Sequence, residues 1–351
     1  MKEVNIMNIF LDTPELSYTG RVDMRNPKKP EFVFPATSLQ FRFHGKAATL
    51  TVSNRHAYWQ NSVGAIIDGQ QKCFPLNDAG ETVLQLLDEA EDADHEIMIF
   101  KRMDSCHEMV LEALELSHGS VLLPPPEKPN RRIEVYGDSV SAGEVSEAVD
   151  YVGKEDPEHN GEYSNSWYSY SWMTARKLGA QIHDIAQGGI ALLDNTGWFN
   201  EPDYIGMETA WDKVHYNPQF GPASNWDFSL YRPQLVIVAI GQNDNHPEDY
   251  MKEDPDGAKA RNWKKHYEAF LRKLRSTYPQ AHIVCITTLL WHDANWDAAI
   301  EEVCSSLQDE KITHHLFTRN GKGTPGHQRI PEAEEMSDEL CAYIESLNIQ
   351  W

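Results

Sequence analysis

The segment LLPPPEKPNRR, residues 122–132, separates two stretches of different hydrophobic period. Proline fixes its own φ and lacks an N–H, so it continues neither a ladder nor a helix interior, and a charged, proline-rich run reads as a linker. Before it, apolar and polar residues alternate in SLQFRFHG (38–45) and AATLTVSN (47–54). SVGAIIDG, ETVLQLLD and HEIMIFKR follow at short spacing, with Gly, Asn and Asp between them. A period of two broken by turn residues predicts strands with one buried face. After the linker, short apolar runs alternate with helical ones. The runs IEVYG (133–137), QIHDIA (181–186), PQLVIVAIG (233–241) and AHIVCITTLL (281–290) read as strands. YSYSWMTARKLG (168–179), WKKHYEAFLRKLRSTYP (263–279), NWDAAIEEVCSSLQ (295–308) and PEAEEMSDELCAYIESL (331–347) read as helices. Near-continuous apolar strands belong to parallel sheets covered on both faces.

Two domains are therefore expected: an all-β sandwich of jelly-roll type over residues 1–125, and an α/β domain with a parallel sheet flanked by helices over residues 126–351. A length of 351 residues suits two domains at roughly 150 residues each. The formal net charge of −23 repels phosphate backbones and anionic headgroups, which argues against nucleic-acid and membrane partners. Five cysteines, an odd number with no CxxC pair, fit a reducing compartment. The opening MKEVNIMNIFLDTPE is too short in apolar residues and too polar for a secretion signal, so the cytoplasm is the expected location, although a secreted chain trimmed of its signal would look the same. Nothing in the sequence decides the oligomeric state, and a homo-oligomer stays open.

Four strand-end or loop motifs carry the candidate chemistry. Ser139 in Gly137-Asp138-Ser139 follows the first buried strand, where a side chain is both exposed and rigidly held; the plainer alternative is a helix N-cap. The GxSxG elbow is not matched, because position 141 is serine. Gly188-Gly189 follows residues 181–186, and Asn243 in Gly241-Gln242-Asn243-Asp244 follows residues 233–240. Both suit oxyanion donors, and both equally suit ordinary turns. His327, after Gly326, precedes the last helix. Singly each motif is weak. Together they place a nucleophile, a base and oxyanion donors at one edge of one sheet, which is what acyl transfer requires. His292 and His183 are rival bases, although His183 lies within a strand and should pack.

Other motifs lead elsewhere or nowhere. Gly321–Gly326 spells G-x-G-x-x-G, but Pro325 lies inside it and too little chain follows for a βαβ unit. His314-His315 and His292-Asp293 lack a regularly spaced third ligand, so no metal and no cofactor is expected. Trp291 and Trp296 bracket a loop near the expected site and Trp198 lies in another, where flat rings would stack on sugar faces; core packing is the competing use. Tyr58-Trp59 offers the β-domain a similar aromatic pair.

The motif set resembles the SGNH, or GDSL-like, hydrolase superfamily: Ser139 in GDS, Gly188-Gly189, Asn243 in GQND and His327 fall in its four blocks. The whole layout resembles carbohydrate esterase family two, with an N-terminal β-sandwich ahead of a flavodoxin-like catalytic domain. The resemblance implies a metal-free esterase that deacetylates O-acetylated oligo- or polysaccharides of xylan type. It implies Ser139 as nucleophile, His327 as base, and Ser139, Gly189 and Asn243 as oxyanion donors. The superfamily usually carries Asp three residues before the histidine, where this chain has Thr324. A Ser–His dyad is therefore expected, its histidine oriented by a backbone carbonyl of residues 322–325, with Asp293 or Asp297 as the alternative. Two further functions stay open: a carbohydrate-binding protein with an inactive hydrolase domain, and a lipase or thioesterase on the same scaffold.

Overall fold

The computed structural model describes residues 6–351. The chain forms two compact units. Of the described residues, the first comprises 6–128 with 160–162 and 217–222; the second comprises the remainder from Pro129.

The first unit holds two six-stranded antiparallel sheets. In one, His107–Ser117 pairs with Ala48–His56, which pairs with Glu81–Leu87. In the other, Ala93–Lys101 lies between Ser38–Gly45 and Ser62–Ile67. Period two turns Leu39, Phe41 and Phe43 inward, and these pack with Leu50, Val52, Leu84, Ile97 and Leu111 in one fully buried cluster. The longest strand, His107–Ser117, is one the alternation misses. Its pairing slips between Leu111 and Ala113, so the inward phase runs Met109, Leu111, then Leu114 and Leu116. An extra residue in one strand reverses which face each later side chain takes.

The second unit is built on a five-stranded parallel sheet: β1 (Arg131–Gly137), β2 (Ala180–Ala186), β3 (Leu235–Ala239), β4 (His282–Cys285) and β5 (Ile312–His314). Its order is β2-β1-β3-β4-β5. Every pairing is parallel. β3 is buried at each position, as its unbroken apolar run requires. The helices α1 (Tyr170–Lys177), α2 (Ala258–Thr277), α3 (Ala294–Ser306) and α4 (Ile330–Ser346) lie within two residues of the predicted bounds, save that α2 starts five residues earlier. α2 buries Ala260, Trp263, Tyr267, Phe270, Leu271 and Leu274, one face at helical spacing. Strand order reverses beside β1, and at such a switch point a crevice opens beyond the carboxyl ends of the strands. The segment after β1 begins with Asp138-Ser139.

Candidate active site

Asp138 and Ser139 share the start of a one-turn helix, Ser139–Ala142. The cap falls on Asp138 and not on its neighbour: Asp138 Oδ1 accepts from Val140 N at 3.0 Å, which leaves the Ser139 hydroxyl for other partners. Gly137 is needed because a Cβ there would lie 2.1 Å from Ser141 Oγ. Ser141 is itself fixed by a 2.8 Å bond to Tyr170 OH.

The Ser139 hydroxyl oxygen lies 2.8 Å from His327 Nε2. On the other side of the ring, His327 Nδ1 lies 2.5 Å from Asp156 Oδ2. Asp156 Oδ1 accepts from the His327 backbone N–H at 2.9 Å and sits 3.0 Å from the Arg329 guanidinium. This corrects the expected dyad. The carbonyls of residues 322–325 do not orient the ring: Thr324 O accepts from Trp291 N and Gly323 O from Arg319. Asp297 is engaged elsewhere, 3.0 Å from His292 Nε2, while His292 Nδ1 lies 2.7 Å from Leu290 O. Asp293 caps α3 through Asn295 N. The orienting carboxylate comes instead from the long segment between Ser139 and α1. Gly326 makes room for it, since a Cβ there would stand 2.5 Å from Asp156 Oδ1.

The charges around the relay follow from this packing. Burial lifts the Asp156 carboxyl, but the His327 and Arg329 contacts outweigh it and hold the group below its ordinary value. Burial disfavours the His327 imidazolium, yet Glu144, Asp156 and Asp138 outweigh that and push its pKa up to about 9.

The glycine and asparagine motifs meet at the same end of the sheet. Asn243 Nδ2 donates to Ile190 O at 3.1 Å and lies 3.4 Å from Asp138 Oδ2. Gln242 Nε2 donates to the same Asp138 oxygen at 3.0 Å. Asp244 accepts from Leu192 N and Leu193 N at 2.8 and 3.2 Å, which ties the two loops together; burial pushes its pKa up to about 7. Gly189 has φ 72°, and a Cβ there would meet Trp198 Cβ at 2.8 Å, so only glycine fits.

The tryptophans divide. Trp198 is 56% exposed and stacks on His246 with centroids 3.4 Å apart; Trp291 is 60% exposed. Trp296, expected to meet substrate, is fully buried instead. It lies on the inward face of α3 between Tyr250 and Trp263, and its Nε1 donates to Asp249 at 3.0 Å. His183 packs as expected, stacked on Tyr231 at 3.5 Å.

A hydroxyl, an imidazole and a carboxylate in relay beyond the carboxyl end of a parallel sheet define a serine hydrolase. The chain matches the model of the GDSL-like lipase/acylhydrolase family over residues 135–310 and that of the carbohydrate esterase 2 N-terminal domain over residues 18–126. It belongs to the GDSL-like lipase/acylhydrolase family, in the two-domain form of carbohydrate esterase family two. It is 29% identical over 347 residues to an acetylxylan esterase/glucomannan deacetylase of Cellvibrio japonicus, covering 97% of this chain and 89% of that one. It is 28% identical over 348 residues to the cellulase/esterase CelE of Acetivibrio thermocellus, covering 95% of this chain but only 40% of that protein. A family two carbohydrate esterase structure from Cellvibrio japonicus superposes with a TM-score of 0.83 at 25% identity, over 98% of both chains.

Proposed function

We propose that the chain is a serine esterase that removes acetyl groups from O-acetylated oligo- or polysaccharides of xylan type, through an acetyl-serine intermediate. The observation that carries this reading is the relay Ser139–His327–Asp156, with gaps of 2.8 and 2.5 Å, in a chain related along its length to carbohydrate esterases. His327 Nε2 takes the proton as Ser139 Oγ attacks the acetyl carbonyl, then returns it to the departing sugar oxygen. Water repeats the sequence on the acyl-enzyme. The tetrahedral oxyanion would draw donors from Ser139 N, Gly189 N and Asn243 Nδ2. For Asn243 this means exchanging its long 3.4 Å contact with Asp138 for the oxyanion while keeping the 3.1 Å bond to Ile190 O. Exposed Trp198 and Trp291 suit sugar rings. The assembled relay favours an active enzyme over a glycan-binding protein with an inactive hydrolase domain.

The test is an ester chain-length series. Turnover of 4-nitrophenyl acetate falling steeply by butyrate, with acetate released from acetylated xylan, supports the reading. Equal or faster turnover of octanoate would replace it with a lipase.

A further inference from the structure

His327 has a second carboxylate neighbour that the hydrolase relay does not require. Glu144 Oε1 lies 3.9 Å from His327 Nε2, the ring nitrogen that faces Ser139, and the Glu144 side chain is only 12% exposed. The chain is shaped to bring it there. The one-turn helix of Ser139 ends at Gly143 in the left-handed region at φ 78°, where a Cβ would stand 2.5 Å from Asn165 O. Glu144 N then donates back to Ser139 O at 3.0 Å. The next residue, buried Val145, is held at φ 56°, a conformation costly for a β-branched side chain and one that persists only where its surroundings enforce it. Residues 143–145 thus fold the chain sharply back beside the nucleophile.

We propose that Glu144 is a second carboxylate partner of His327, a positioning residue that stabilises the imidazolium formed when Ser139 gives up its proton. This rests on His327 acting as the base of the proposed esterase. The charged groups facing His327 are Asp156 on Nδ1, Glu144 near Nε2, buried Asp138, and Arg329, which bonds both Asp156 and the His327 carbonyl. Asp156 already shares its charge with Arg329, whereas Glu144 faces the imidazolium on its reacting side. Burial works against the imidazolium, and Glu144 stands with Asp156 among the carboxylates that oppose burial. A carboxylate so placed speeds proton uptake from Ser139 and moves the activity of the enzyme toward alkaline pH.

The experiment is the ring titration of His327 by NMR in the full chain, its signal identified by loss in His327→Gln, together with the pH profile of kcat/KM on 4-nitrophenyl acetate. In Glu144→Gln both ionisations should fall by roughly one to three pH units, the range for losing an opposite charge at this distance. Glu144→Asp, which keeps the charge on a shorter arm, should fall between the two and serves if Gln does not fold. An unmoved His327 titration in a folded Glu144 variant overturns the proposal. The titration needs no substrate, so a parent chain without esterase activity would reject the esterase reading and leave this result legible.

Discussion

Replacing Asp156 by asparagine should cost about 10⁴ in kcat, equivalent to about 5.5 kcal/mol. The direction follows from the way the carboxylate is forked. Oδ1 serves two donors, the His327 backbone N–H at 2.9 Å and the Arg329 guanidinium at 3.0 Å, while Oδ2 faces His327 Nδ1 at 2.5 Å. In Asp156→Asn the single amide oxygen is claimed by those two donors. The amide NH₂ then points at Nδ1, which must become an acceptor. The ring proton moves to Nε2, 2.8 Å from Ser139 Oγ, and the base presents a donor where it needs a lone pair. Stability should fall as well, because buried Arg329 loses its anionic partner. The assay is steady-state turnover of 4-nitrophenyl acetate at a temperature where circular dichroism shows the variant folded. Activity within about tenfold of the parent would refute the triad, since a triad carboxylate is worth far more than that.

The pH profile of kcat/KM on 4-nitrophenyl acetate should rise with a limb near the His327 pKa of about 9, because only neutral imidazole accepts the serine proton. The sign for stability is opposite: with its folded pKa raised, His327 contributes most below its unfolded pKa, and thermal melts should show that contribution lost as pH rises through about 9. Asn243→Ala should lower kcat by roughly 10²–10³, the loss of one oxyanion donor, and a change confined to KM would remove Asn243 from that role. Trp296→Ala should cost about 3–5 kcal/mol in denaturant unfolding, as deletion of a large core ring does, rather than raise KM for saccharide.

The period-two runs before the linker and the alternating runs after it carried the architecture, because both patterns are local. What they missed has local causes too. His107–Ser117 hides its phase behind a bulge, and HEMVLEALELS is rich in helix formers. Strand β5, at the sheet edge, is three residues long, too short for any period to show. The four site motifs were legible because each follows a strand end or precedes a helix. Asp156 was not: it sits in a long loop of an acidic chain, 171 positions from its partner, and nothing local marks it. The one trace is Gly326, a glycine whose missing Cβ admits the carboxylate. Trp296 was misplaced although the signal was present. It shares the spacing i, i+3, i+4, i+7 with Ala299, Ile300 and Val303, a buried helix face.

Covalent labelling tests the central claim most directly. A serine-directed phosphonate should add one equivalent to the chain, peptide mapping should place the adduct on Ser139, and labelling should be lost in Ser139→Ala and slowed severely in His327→Ala. An adduct on another serine, or none on the folded protein, would contradict the assignment of Ser139 as nucleophile and with it the esterase.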